Sequence, residues 1–173
     1  MATLPTTYPG VQENAPHFIA NAKDIAAEMM NFSAEELAQL LKINDKLANQ
    51  NWLRYQHFLQ EGDTSHAALA FTGMAYKHLK ANTFNTKDID FANKHLWITS
   101  FLYGLLRPLD TIKPHRLEGN VRLQNHDDMR LFDYWKPLLT QYFVDAITGD
   151  NGMLAYLASE EMKSLFDWNE VAK

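Results

Sequence analysis

The chain of 173 residues contains no cysteine. That excludes a disulfide scaffold, a thiolate nucleophile, a Cys-ligated zinc or iron–sulfur centre and thiol redox sensing, and it fits a reducing cytoplasm. No apolar run approaches the ~20 residues that span a bilayer, so no membrane partner is expected. The opening MATLPTTYPG has no charged stretch leading into an apolar one and does not read as a secretory signal. No phosphate-binding Gly-rich loop is present, and no GxGxxG follows a strand. No pair of the seven histidines has the spacing that places two metal ligands on one helix face. Ser33, Ser100 and Ser159 lack a nucleophile-elbow setting. No catalytic, cofactor or metal residue is assigned from the sequence.

What is present suits a folded protein. Apolar residues make up 46% and charged residues 21%, and a chain of this length buries ~70% of its extended surface. Residues 1–13, with Pro5, Pro9 and Gly10, read as an extended arm. Residues 14–173 read as one domain, without repeats or a long linker. The spacing Phe18, Ala22, Ile25, Ala26, Met29 predicts a helix over 16–30. Ser33 and Glu36 form a capping box opening a short helix. A third helix is predicted from Asn44 to Leu59, with Leu47, Tyr55, Phe58 and Leu59 inward. Ala67–Thr72 reads as a buried strand, Met74–Lys80 as a helix, and Thr86 as the cap of another helix with Ile89 and Ala92 inward. Residues 96–101, LWITSF, form the clearest strand. A long helix over 129–147 carries the stripe Leu131, Trp135, Leu138, Tyr142 and Ala146, with Pro137 kinking it or lying in its first turns. Met153–Ala158 reads as a further apolar strand, and Ser159 caps a last helix. The fold class is α+β: a helix-rich mixed domain with a small sheet of about three strands.

The net charge of −5, from 16 basic and 21 acidic residues, argues against a protein coated with cations. The distribution is uneven. Between Tyr103 and His126, Arg107, Lys113, Arg116 and Arg122 face only Asp110 and Glu118, the most basic stretch of an acidic chain. Gly104 sits among large apolar residues, as where a backbone turns tightly or approaches something closely. Pro108 and Pro114 stiffen the segment. Two readings stay open. In one, a hydrophobic–Gly–hydrophobic turn with nearby cations offers N–H groups and charge to phosphate. In the other, Arg107–Asp110 and Arg116–Glu118 are local structural pairs. Trp52, Arg54 and Tyr55 form either a stacking surface or core.

Several blocks, in consistent order over residues 15–168, resemble the YaaA-type peroxide stress protein family. They include Lys42-Ile-Asn-Asp-Lys-Leu-Ala48, Arg54-Tyr55, Ala70-Phe-Thr-Gly73, Ser100-Phe-Leu-Tyr-Gly-Leu-Leu-Arg-Pro-Leu-Asp110, Pro114-His-Arg-Leu-Glu118 and Phe132-Asp-Tyr-Trp135. The resemblance implies a cytoplasmic bacterial protein of mixed α/β fold. It also implies a part in limiting iron-driven oxidative damage to DNA and non-specific DNA binding through a basic helix-hairpin-helix-like element. No established enzymatic activity comes with it. Carried onto this chain, the DNA-contacting residues are Lys46, Arg54, Gly104, Arg107, Lys113, Arg116 and Arg122. Relative to the family pattern, the chain lacks the usual opening strand and the C-terminal continuation. It is expected to be a fragment or degenerate paralogue, with exposed sheet edges that favour self-association. Two alternatives remain. One is an enzyme whose Arg107, Arg116 and Glu118 hold an anionic small molecule, with His115 as acid or base. The other is direct iron binding by histidines and carboxylates.

Overall fold

A computed structural model describes Met1, residues 6–149 and residues 152–172. Ala2–Pro5 of the expected arm and Lys173 lie outside the described residues. The chain divides into two compact units, Met1–Leu117 and Glu118–Lys173. Charge divides with them. Basic and acidic residues balance in the first unit, and the whole negative surplus belongs to the second.

In the first unit, α1 (Ile19–Met29) buries Ala22, Ile25, Ala26 and Met29 as its spacing predicts. α2 (Ala34–Leu40) starts at the Ser33 box. The Glu36 N–H donates to Ser33 Oγ at 3.2 Å and the Ser33 N–H to Glu36 Oε2 at 2.7 Å. Asn44 caps α3 (Asp45–Gln56), accepting from the Leu47 N–H. α3 buries Ala48, Asn51 and Tyr55, whereas Leu47 and Leu59 are exposed. After the two-residue β1 (Ser65–His66), Ala67–Ala70 is helical, α4, not a strand. An alanine-rich run has neither the β-branched nor the aromatic side chains that favour a pleated strand, and alanine is the best helix former. α5 (Met74–Leu79) and α6 (Thr86–His95) follow. α6 is capped by Asn85 in a box with Asp88, and Thr86 is its first residue.

β2 (Ile98–Ser100) and β3 (Gly104–Leu106) form a hairpin with Ser100 opposite Gly104. β4 (Thr111–Ile112) pairs antiparallel with β1. The small sheets are therefore two-stranded ladders rather than one sheet. Residues 6–14 are pinned to this region. The Tyr8 N–H donates to His66 Nδ1 at 3.0 Å, and Asn14 bridges Asp110.

In the second unit, β5 (Arg122–Leu123) and β6 (Met129–Arg130) pair antiparallel and lead into α7 (Leu131–Thr148). The buried stripe of α7 is Leu131, Phe132, Trp135, Leu139 and Phe143. It turns away from the predicted one after Trp135, and Leu138 is exposed. Pro137 lies inside the helix, so the Asp133 carbonyl receives no amide from residue 137. Met153–Ala158 forms no strand, and Met153 and Leu157 are exposed. Ser159 precedes a 3₁₀ helix over Glu160–Leu165, and α8 (Trp168–Val171) ends the unit. Phe166 lies between Phe143 and Trp168, with ring centroids 5.0 and 5.7 Å away. The fold is α+β and helix-rich.

Candidate functional site

The basic block after β2 does not form two helices around a hairpin. Gly104 has φ of +69°, the conformation glycine adopts most easily, and it closes the β2–β3 hairpin with extended chain on both sides. The three residues Phe101–Tyr103 are too few for a helix. Two of their amides are also engaged: the Leu102 and Tyr103 N–H groups both donate to Ser100 Oγ at 3.2 Å. Gly104 is buried. The helix-hairpin-helix expectation is therefore corrected to a β-hairpin whose Leu102 and Tyr103 amides are internally satisfied.

The cations fall into three groups. Arg107 and Lys113 cap helices. Arg107 Nη1 donates to the Lys94 carbonyl at 2.8 Å and the Leu96 carbonyl at 3.4 Å, at the C-terminal end of α6. Its guanidinium carbon lies 3.2 Å from the centre of the Trp97 ring. Lys113 Nζ donates to the carbonyls of His57 (3.3 Å) and Phe58 (2.8 Å), and also to that of Gln60, just past α3. Both place positive charge at the C-terminal end of a helix, where it complements the helix dipole. Arg122, in the second unit, pairs with Asp128 at 3.0 Å and donates to the Asp128 carbonyl at 2.7 Å.

Arg54, Arg116 and Lys46 are placed differently. Asn51 and Tyr55 on α3 clamp the backbone of Arg116. Asn51 Nδ2 donates to its carbonyl at 2.9 Å, Tyr55 Oη donates to the same oxygen at 2.9 Å, and the Arg116 N–H donates to Asn51 Oδ1 at 3.0 Å. Arg54 lies three residues after Asn51, on the same side of the helix. It is half-buried, and no carboxylate pairs with it among the described residues. Arg54 and Arg116 both lie near the Met1 amine. The amine is held below its ordinary range by burial first, then by the charges of Arg54 and Arg116. The Arg116 side chain is exposed, as is Lys46 in the first turn of α3.

Behind this surface is a buried pair. His115 Nδ1 donates to the Lys113 carbonyl at 3.0 Å, so Nε2 is the acceptor, 3.1 Å from Ser100 Oγ. Burial pushes the imidazole down to about 4. It is neutral at pH 7, and both ring nitrogens are engaged. The sequence does not point to Asn51; it offers Tyr55 as stacking surface or core, and the residue is buried, while Ser100 is read only as a serine without a nucleophile setting. Asn51 and Arg116 are 65 positions apart, and no local pattern signals their contact. Among the described residues no group of three or more His, Asp or Glu side chains is placed to hold a metal ion. No helix there is long and apolar enough to cross a membrane.

A family profile described as "Peroxide stress protein YaaA" matches residues 2–173. A UPF0246 protein of Bacteroides fragilis is 47% identical over 169 residues, covering 97% of this chain and 63% of the relative. One from Phocaeicola vulgatus is 47% identical over 159 residues, covering 91% and 62%. One from Acaryochloris marina is 34% identical over 160 residues, covering 91% and 64%. The chain thus spans a little under two thirds of the length of these relatives. It belongs to the YaaA peroxide stress protein family.

Proposed function

We propose that this chain serves a cytoplasmic peroxide-defence protein by holding DNA phosphates non-specifically, which limits iron-driven oxidative damage to the bound DNA. The observation that carries this reading is Arg54, a half-buried guanidinium beside other cations and without a carboxylate partner among the described residues. A charge in that setting is stabilised when an anion arrives. Arg116 and Lys46 add positive charge on the same unit, which lacks the acidic surplus of the other. Arg107 and Lys113 support the surface by fixing helix ends rather than by meeting phosphate. With so few phosphate contacts, affinity is modest and indifferent to sequence, and it falls with salt only in proportion to the few phosphates neutralised.

Fluorescence anisotropy with labelled duplex and single-stranded DNA at low salt tests this. Binding that ignores sequence and weakens in Arg54→Gln is expected. Absence of binding to either form would remove DNA as the partner of this chain.

A further inference from the structure

The His115 N–H next to Arg54 and Arg116 has a poor partner. It donates to the thioether sulfur of Met1 at 3.2 Å, and a thioether is a weak acceptor. Its position is fixed from both sides. The imidazole of His115 is held by Ser100 and the Lys113 carbonyl, and the next residue's backbone is held by Asn51 and Tyr55. A pre-oriented amide, a half-buried guanidinium and an exposed one therefore share a neighbourhood in which the Met1 thioether is a weak acceptor.

We propose that Arg54, Arg116 and the His115 amide form a site for one phosphate monoester or inorganic phosphate, reached when the Met1 side chain moves aside. The choice of a monoester follows from donor count and charge. A phosphate monoester offers three terminal oxygens, each able to accept more than one hydrogen bond, and up to two negative charges to balance the two guanidinium groups. A phosphodiester offers two oxygens and a single charge. Guanidinium forks match phosphate oxygens bidentately, and a backbone amide adds direction. This inference deepens the DNA reading and rests on it for the two arginines. The monoester is either the terminal phosphate of a DNA strand or a free small phosphate.

The test is a titration of the ¹⁵N-labelled full chain with inorganic phosphate at constant ionic strength, with sodium chloride as control. The His115 amide is the reporter. The expected result is a saturable shift of that amide with phosphate and not with chloride, weakened about tenfold or more in Arg54→Gln. The exposed Arg116→Gln is the second variant should Arg54→Gln fail to fold. No saturable shift, or a shift of unchanged affinity in a folded variant, overturns the proposal. Parallel anisotropy uses 5′-phosphorylated and 5′-hydroxyl oligonucleotides and a covalently closed duplex. Tighter binding of the phosphorylated strand identifies strand ends as the source. A phosphate shift without DNA binding supports a small phosphate ligand and removes only the DNA reading. Binding of closed duplex without a phosphate shift removes only the monoester site.

Discussion

Replacing Asn51 with leucine tests the clamp that holds the Arg116 backbone against α3. Asn51 is 1% exposed, and its amide both donates to and accepts from the Arg116 backbone. Leucine has similar volume and no polar atoms, so two hydrogen bonds vanish and the Arg116 N–H loses its protein partner. The Arg116 carbonyl keeps its bond from Tyr55. At ~1 kcal/mol net per bond, with an added penalty for the orphaned amide, the cost is about 2–3 kcal/mol. For a chain of this size that lowers the thermal midpoint by roughly 4–12 °C. Urea unfolding followed by far-UV circular dichroism measures it, with Tyr55→Phe and the double variant completing a cycle. Because both side chains serve one carbonyl, the two losses should not add, with coupling of ~0.5 kcal/mol or more. An Asn51→Leu variant within ~0.5 kcal/mol of the parent would refute the clamp, since that is the range of surface substitutions without structural partners.

Three further predictions concern the supporting frame. Arg107→Ala should destabilise the protein by about 1–2 kcal/mol, through loss of the α6 carbonyl bonds and the Trp97 stack, while changing DNA affinity far less than Arg54→Gln does. Denaturant melts and anisotropy on the same samples separate the two effects. His115, pushed down to about 4 from 6.5, binds fewer protons folded than unfolded, so its contribution of about 3 kcal/mol is present above pH 6.5 and is lost as pH falls toward 4. Asp110, pushed up to about 6 from 3.8 mainly by burial, acts in the opposite sense, costing stability as pH rises through that window. The two slopes offset one another between pH 4 and 6, and Asp110→Asn should unmask a steeper acid loss in melts across that range. Gly119→Ala should destabilise the second unit by roughly 1–3 kcal/mol, because a Cβ there would lie 2.3 Å from the Phe132 ring, as thermal unfolding would register.

Local signals in the sequence carried through where one turn of chain decides the outcome. The Ser33 box needs only residues three apart, and Gly104 occupies the turn its isolation among bulky neighbours implied. Apolar runs were ambiguous. Ala67–Ala70 became a helix because alanine fits one as readily as a buried strand, and Met153–Ala158 stayed irregular and largely exposed despite its composition. The α7 face was misplaced because apolar residues occupy both Leu138 and Leu139, and packing decides between them. The basic stretch was legible in the sequence, but the partners of its cations were not. Lys113 meets carbonyls 53 to 56 positions away, and Arg107 those 11 to 13 positions away. Such contacts form only when the chain is folded. A count of positive charges along the sequence therefore does not tell which of them the fold engages.

The most direct test is the salt dependence of DNA affinity for the parent chain and for Arg54→Gln. If Arg54 meets phosphate, the slope of log affinity against log salt should be shallower in the variant by about one. Equal affinity and equal slope in two folded proteins would contradict the assignment of Arg54 to the phosphate surface.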